Sequence, residues 1–208
     1  GRAVVRAGGG AELPVVARRS VAAGLAGLEW AVGIPGSVGG AVRMNAGGHG
    51  AETASCLVRF GWVDVARDRE GEDDAEHLAY GYRSSALAAS EVVVWAELAA
   101  RRGDPETGRA ALSEIVRWRR EHQPGGSNAG SVFTNPPGDT AGRLVEAAAL
   151  KGFRLGTARV SEKHANFIQA DVGGSADDVR ALMAHVQSVV AERTGATLSA
   201  EVRLVGFA

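Results

Sequence analysis

A run of glycine and other small residues at positions 33–50 constrains this chain more than any other feature. Gly33-Ile34-Pro35-Gly36-Ser37-Val38-Gly39-Gly40 is followed closely by Asn45-Ala46-Gly47-Gly48-His49-Gly50. So many glycines do not form one regular helix or strand. They do let the backbone adopt positive φ angles and approach a ligand closely. Consecutive N–H groups can then form a concave site for an anion such as a diphosphate, although a tight turn explains the same glycines.

Patterns on both sides of this run predict an α+β protein with two domains. Strand-like patterns fall at positions 3–7, 57–65, 92–98 and 198–205. Helices are predicted over 11–23, from Pro105 towards His122 with Asp104 as N-cap, from an Asp139 cap through Ala149, and from a Ser175 cap to Gly195. The change of style near Gly103 divides the chain into domains 1–103 and 104–208.

Charge and cysteine content exclude several kinds of partner. The formal net charge is -1, with 23 basic and 24 acidic side chains, so no overall positive field attracts nucleic acid. Cys56 is the only cysteine, which excludes an internal disulfide framework and a multi-cysteine metal site. No apolar run approaches the roughly 18 residues that a membrane span requires.

Two segments carry side chains suited to an anionic substrate. In Tyr80-Gly81-Tyr82-Arg83-Ser84-Ser85, an arginine beside an aromatic ring can fork onto a carboxylate while the ring packs on the substrate. In 160–168, Lys163, His164 and Asn166 could serve a polyanion. A surface strand end and a solvated loop are the alternative readings of these two segments.

A serine in a tight glycine segment is a candidate proton donor. Asn128-Ala129-Gly130-Ser131-Val132-Phe133-Thr134-Asn135-Pro136 lacks the Gly-x-Ser-x-Gly elbow of hydrolases, which argues against a nucleophile. A hydroxyl placed to donate a proton is the better role, and a turn serine bonded to its own backbone is the alternative. Glu201, in 198–206, taken by itself is an exposed strand glutamate.

Taken in order, these motifs resemble the UDP-N-acetylenolpyruvoylglucosamine reductases. The resemblance rests on Gly-Ile-Pro-Gly-Ser-Val-Gly-Gly, Tyr-Arg-Ser-Ser, Gly-Ser-Val-Phe-Thr-Asn-Pro, Leu-Lys-Gly, Ser-Glu-Lys-His-Ala-Asn-Phe and Glu-Val-Arg-Leu-Val-Gly, and it runs through nearly all 208 residues. The interval between Arg83 and Ser131 is short and resembles that of the type II branch of the family, which lacks the extra tyrosine-bearing loop of type I. The resemblance implies an FAD-binding α/β domain of the vanillyl-alcohol-oxidase type, followed by a substrate-binding α+β domain.

The resemblance also implies a reaction and the residues that perform it. NADPH would reduce FAD, and the reduced flavin would then reduce the enolpyruvyl group of a UDP-sugar to give UDP-N-acetylmuramate for peptidoglycan. Arg83 matches the arginine that stabilises negative charge, Ser131 the serine that protonates the intermediate, and Glu201 the acid that assists. This division fits the need of an enolate for nearby positive charge and a donor within reach.

The remaining site residues follow from the same resemblance. Residues expected to contact FAD are Ile34, Pro35, Gly36, Ser37, Gly39, Gly40, Asn45 and Gly47. Residues expected to contact the nucleotide sugar are Tyr82, Asn135, Lys163, His164 and Asn166. A cytoplasmic monomer without metal, nucleic-acid partner or membrane insertion is expected.

Family members carry a further α/β segment, with a glycine-serine-asparagine loop that grips the FAD diphosphate, before the point where this chain opens. The sequence therefore predicts an N-terminally truncated chain that binds FAD weakly by itself. His49 and Thr134 stand where many relatives have tyrosine and lysine. Two alternatives are another flavin oxidoreductase of the same superfamily and a non-catalytic fragment that binds the nucleotide sugar.

Overall fold

The computed structural model describes residues 2–207, which divide into two compact units. Unit 1 is Gly1–Arg119 and unit 2 is Arg120–Ala208. This division falls later than the change of sequence style near Gly103, because the helix that follows Gly103 belongs to unit 1 for most of its length. Each unit has its own hydrophobic core.

Unit 1 is built on an antiparallel sheet whose central member is one long strand. The strands are β1 (Arg2–Gly8), β2 (Leu25–Ala26), β5 (Leu57–Asp64), β6 (Arg69–Asp74) and β7 (Glu91–Arg102). The order is β1-β7-β5-β6, with β2 also paired to β7. Buried residues such as Val93, Ala96 and Leu98 place one face of β7 in the core. A small hairpin, β3 (Gly47–Gly48) with β4 (Ala51–Glu52), lies outside this sheet.

Three α-helices complete unit 1, and local sequence signals set their ends. Helix α1 (Leu13–Ala22) has a proline in its first turn, and α2 (Val38–Arg43) is capped by the hydroxyl of Ser37. Helix α3 (Pro105–His122) begins after Asp104, whose carboxylate accepts the N–H groups of Glu106 and Thr107 as predicted. Short 3-10 helices occupy Glu29–Gly33, Thr53–Ser55 and Ala75–Leu78. The run 33–50 therefore holds several short elements, as its glycines required.

Unit 2 contains a second antiparallel sheet and two helices. Strands β8 (Ser127–Ser131), β9 (Arg154–Leu155), β10 (Ala158–Val160) and β11 (Phe167–Ala170) pair in the order β8-β11-β10-β9. Helix α4 is Ala141–Ala147 and helix α5 is Ala176–Thr194. The predicted signals at both ends of α5 are confirmed, with Ser175 as N-cap and Gly195 at φ 73° as the left-handed C-cap.

Two local predictions in unit 2 are wrong. The segment 198–205 forms an isolated bridge between Ala200 and Phe133 instead of a strand. The segment that pairs with it continues from Phe133 to Pro136 and Pro137, which have no N–H to extend a strand ladder. Val205 is therefore left 88% exposed. The N-cap of α4 is Thr140 rather than Asp139, because Asp139 turns instead to the guanidinium of Arg143.

Among residues 2–207, no helix combines the length and the apolar character needed to cross a membrane.

Candidate cofactor and substrate sites

A cleft of about 510 Å³ opens in unit 1 beside the glycine-rich segment. Its volume lies within the range of about 300–1,000 Å³ that is usual for small-molecule sites. Three segments that are separate in the sequence supply the wall. The lining residues are Gly9, Gly10, Ser37, Gly39, Gly40, Arg43, Ala89, Glu91, Val92 and Val93.

Close backbone packing explains why glycine occupies this wall. A Cβ atom on Gly9 would lie 2.0 Å from the carbonyl oxygen of Val93, and one on Gly39 would lie 3.0 Å from the same oxygen. By contrast, a Cβ on Gly10 would meet nothing within 4 Å. Gly9 and Gly39 therefore let the segments touch, and Gly10 leaves the opening unobstructed.

Two amide groups of the glycine-rich run, those of Gly39 and Gly40, already have hydrogen-bond partners within unit 1. The N–H of Gly39 donates to the carbonyl of Gly9 at 2.8 Å, and the N–H of Gly40 donates to the Ser37 hydroxyl at 3.1 Å. These two amides have partners within the wall, and the expectation that they contribute to a diphosphate site stays a prediction. Ser37, Gly39 and Gly40 line the cleft, whereas Ile34, Pro35, Gly36, Asn45 and Gly47 are absent from its lining.

Arg83 is joined to the second half of the glycine-rich run. Its guanidinium donates to the carbonyl of Asn45 at 3.2 Å and to the carbonyl of Gly47 at 2.9 Å. Asn45 is only 2% exposed, and its amide side chain bridges the carbonyl of Gly81 and the N–H of Ala54. The structure thus brings together one predicted charge-stabilising residue and two predicted FAD-contacting residues.

The neighbouring tyrosine is at the surface. Tyr82 is 58% exposed, and the guanidinium carbon of Arg83 lies 5.0 Å from the centre of its ring. Arg83 itself has φ +52°, a left-handed conformation that is uncommon for a residue with a side chain. Such positions are concentrated at functional sites, where the surrounding contacts maintain them.

In unit 2, Ser131 and Glu201 lie on adjacent paired segments. Ser131 ends β8, where it pairs with Phe167 of β11. The next residue, Val132, accepts the N–H of Glu201 at 2.8 Å through its carbonyl. Among residues 2–207 the Ser131 hydroxyl has no hydrogen-bond partner, so it is not a turn serine bonded to its own backbone.

A buried asparagine holds the segment that follows Ser131. The side chain of Asn166, 5% exposed, accepts from the N–H of Phe133 at 3.0 Å and donates to the carbonyl of Phe133 at 2.8 Å. It therefore pairs with the backbone as a strand neighbour would. The structure gives Asn166 a scaffold role, and its contact with substrate stays a prediction.

The other predicted substrate residues also hold backbone groups. Asn135 accepts the N–H of Ala141 at the start of α4, at 3.0 Å. Lys163 donates to the carbonyl of Arg120, close to the C-terminal end of α3, at 2.6 Å. A positive charge is favourable at that end of a helix. His164 accepts from the N–H of Asn166 at 3.2 Å through Nδ1. Burial lowers the pKa of His164, so it is a neutral acceptor near pH 7 rather than a cation.

The sequence did not reveal every lining residue. Gly9, Gly10, Arg43 and Glu91 line the first cleft, and the only local signal was a glycine triplet that begins at the last residue of β1. Unit 2 also has an apolar cleft of about 310 Å³. Its floor includes Val132, Ile168, Val179, Met183 and Val202. These residues come from four segments far apart in the sequence, so no single pattern predicts them.

Comparison with known proteins places these features in a class. Residues 1–67 match the FAD binding domain family, and residues 122–205 match the family described as UDP-N-acetylenolpyruvoylglucosamine reductase, C-terminal domain. With the α+β architecture, these matches define a two-part protein with an FAD binding domain and a reductase C-terminal domain.

The curated relatives then give the family. A UDP-N-acetylenolpyruvoylglucosamine reductase of Rubrobacter xylanophilus is 46% identical over 200 residues, covering 95% of this chain and 66% of the relative. The enzyme of that name in Synechococcus sp. is 46% identical, covering 98% of this chain and 67% of the relative. The chain belongs to the UDP-N-acetylenolpyruvoylglucosamine reductase family.

A solved structure agrees with this assignment. The crystal structure of the UDP-N-acetylenolpyruvylglucosamine reductase from Thermus caldophilus matches with a TM-score of 0.85 and 36% identity, covering 96% of this chain and 71% of that chain. The chain spans about two thirds of the length of the curated relatives it matches.

Proposed function

We propose that this protein reduces the enolpyruvyl group of UDP-N-acetylglucosamine enolpyruvate to give UDP-N-acetylmuramate, with FAD as cofactor and NADPH as hydride donor. Family membership supports the class of reaction. The observation that carries the proposal is the pairing of the Glu201 segment with the residue after Ser131, since the N–H of Glu201 donates to the carbonyl of Val132. This pairing supports the proposal, because the proposed acid and the proposed assisting carboxylate then lie on neighbouring segments.

The residues of the unit 1 cleft fit a flavin dinucleotide. Gly9, Gly10, Gly39 and Gly40 line the cleft without side chains, which would let a ligand approach the backbone, and the Arg43 guanidinium adds positive charge for phosphates. Gly10, Ser37 and Arg43 are the groups that we expect to hold FAD there. Once bound, FAD would carry the hydride from NADPH to the substrate. The chain itself would supply binding, orientation and proton transfer.

Arg83 would stabilise negative charge on the substrate. Adding a hydride to the distal vinyl carbon moves negative charge onto the adjacent carbon and its carboxylate. A charge already fixed in place stabilises such an enolate without reorganisation. The two carbonyls that hold the Arg83 guanidinium fix its position in this way.

Ser131 would complete the reaction as the proton donor. Its hydroxyl proton would pass to the carbon adjacent to the carboxylate, and Glu201 would assist in restoring that proton. A positioned acid of this kind accelerates a proton transfer about 10²–10⁴-fold. The absence of a hydrogen-bond partner for this hydroxyl within residues 2–207 is consistent with the role.

The substrate contacts are proposed from the same family pattern. Lys163, with Asn135 and Tyr82, is a candidate for the nucleotide sugar, and we propose a cytoplasmic monomer. The helix-capping bond of Lys163 does not exhaust its three donors.

The experiment that tests the function is NADPH oxidation with defined acceptors. The full chain, as expressed from its gene, should carry bound flavin and oxidise NADPH when UDP-N-acetylglucosamine enolpyruvate is present. Phosphoenolpyruvate, which has the enolpyruvyl group but no nucleotide sugar, is the matched control acceptor. Turnover with an unrelated acceptor and none with the sugar would favour another flavin oxidoreductase. A protein that binds the sugar but not FAD would favour the non-catalytic binder.

A further inference from the structure

We propose that Arg119 is a positioning residue that sets the loop 33–36, and through it the glycine wall of the unit 1 cleft. The effect on FAD rests on the function proposed above, whereas the effect on the loop does not. Arg119 lies in the last turns of α3, far from the cleft in the sequence, and it has no place in the proposed reaction.

Arg119 forms a hydrogen bond to the end of a 3-10 helix. The Arg119 guanidinium donates to the carbonyl of Gly33, the last residue of the 3-10 helix Glu29–Gly33. Carbonyls at a helix C-terminus lack partners within the helix, and positive charge is favourable there. Burial lowers the pKa of Arg119, but a guanidinium remains charged at any physiological pH.

Gly33 is also closely packed. A Cβ atom on Gly33 would lie 2.8 Å from the ring of His49 and 3.0 Å from Ile115 of α3. The His49 ring also meets the ring of Trp118 edge to face, with centroids 5.2 Å apart. One face of α3 therefore fixes Gly33 by packing and by a charged hydrogen bond together.

Backbone hydrogen bonds connect the loop 33–36 to the cleft. The carbonyl of Gly36 accepts the N–H of Leu13 at 2.9 Å, and the N–H of Val38 donates to Ala11 at 2.8 Å. The N–H of Gly39 then donates to Gly9 at 2.8 Å. A displacement at Gly33 is therefore transmitted to both glycine segments of the wall, because each bond depends on the loop leaving Gly33 in the right direction.

The test compares Arg119→Met with Arg119→Lys, and uses Arg117→Met on the same helix as the control because Arg117 is exposed. Hydrogen exchange at the Leu13 amide reports the position of the loop without any ligand. We expect faster exchange at Leu13 in Arg119→Met and about tenfold weaker FAD binding by flavin fluorescence, the scale of one charge-assisted hydrogen bond. Lysine should restore most of both, because one carbonyl needs only one donor.

Two results would overturn the proposal. One is Arg119→Met with normal Leu13 exchange and normal FAD affinity. The other is a lower melting temperature with uniformly faster exchange that lysine does not rescue, which indicates a purely structural role. If the unaltered protein binds no FAD, the proposed function fails, and Leu13 exchange in the variants still decides the positioning role.

Discussion

The two units hold their candidate functional residues by different physical means. In unit 1 four glycines line the cleft, and a Cβ atom on Gly9 or Gly39 would lie 2.0 or 3.0 Å from the backbone carbonyl oxygen of Val93. Arg83 is likewise fixed by two backbone carbonyls. In unit 2, strand pairing and the Asn166 amide hold the backbone around Ser131, and the serine hydroxyl is left out of that network.

Because of this difference, we expect substitutions at the candidate site of unit 2 to lower activity alone. Substitutions in the unit 1 wall should lower activity and stability together. If Ser131 is the proposed proton donor, a change there should lower activity without disturbing packing, because its hydroxyl supports no other described residue. A change in the unit 1 wall should alter the fold and the proposed FAD site together, because the same backbone would serve both. Substitutions in the two units should therefore show opposite relations between lost activity and lost stability.

The largest effect should come from Gly9→Ala. The added methyl would meet the Val93 carbonyl at 2.0 Å, and neither backbone segment can withdraw without breaking the bond from the Gly9 N–H to Val94. We expect a loss of about 3 kcal/mol in the free energy of unfolding, the upper part of the overpacking range. Urea unfolding measures it.

Gly10→Ala is the matched control, because its methyl would point into open space. We expect it to change stability by less than about 1 kcal/mol, since only backbone entropy differs. Equal losses at the two positions would show that the wall is not set by the Gly9 contact, and the contrast between the units would fail in unit 1.

Ser131→Ala should give the next largest effect, on rate alone. In stopped-flow measurements, flavin reduction by NADPH should stay near normal, and reoxidation by the enolpyruvyl substrate should slow by about 10²-fold or more. That is about 2.7 kcal/mol of barrier, whereas the unfolding free energy should change by less than about 1 kcal/mol. Ser131→Cys should retain more activity than alanine, since a thiol can still donate.

Normal reoxidation in Ser131→Ala would contradict the assignment. The proton donor would then be Glu201 or a bound water. A large drop in stability would contradict the comparison instead, by showing that the hydroxyl does support the fold of unit 2.

Arg83→Lys should have a smaller effect in which rate and local order change together. An ammonium cannot span the carbonyls of Asn45 and Gly47, so one charged hydrogen bond is lost. We expect reoxidation by substrate to slow by about tenfold. Hydrogen exchange around Gly47 should rise as well, whereas exposed Arg101→Lys should change neither. A slower reaction without faster exchange would mean that Arg83 acts only on the substrate.

Local signals account for the parts of the fold that the sequence predicted. The proline in α1, the Asp104 cap of α3, and the Ser175 and Gly195 ends of α5 depend on neighbours a few residues away. Strand β6 (Arg69–Asp74) was missed because its residues are almost all charged, and pairing with β5 imposes its conformation.

The candidate site shows the same limit. Composition alone identifies the glycine-rich segment. The hydrogen bond of the Gly39 N–H depends on Gly9, which is distant in the sequence. Asn166 and Lys163 stay predicted substrate residues, and their bonds to Phe133 and Arg120 arise only from the tertiary fold. Residue type alone does not separate a scaffold amide from a ligand contact.

The smallest effect concerns the pH dependence of stability in unit 2. Burial lowers the pKa of His164 in the folded protein below 6.5, the value for a free side chain. The unfolded chain therefore takes up the proton first, and stability should fall as pH drops from about 6.5 through the lowered folded pKa. His164→Gln keeps an acceptor and cannot titrate, so urea midpoints should decline less between pH 7 and 5. An equal slope in His164→Gln and the unaltered protein would show that burial of this imidazole carries no linkage.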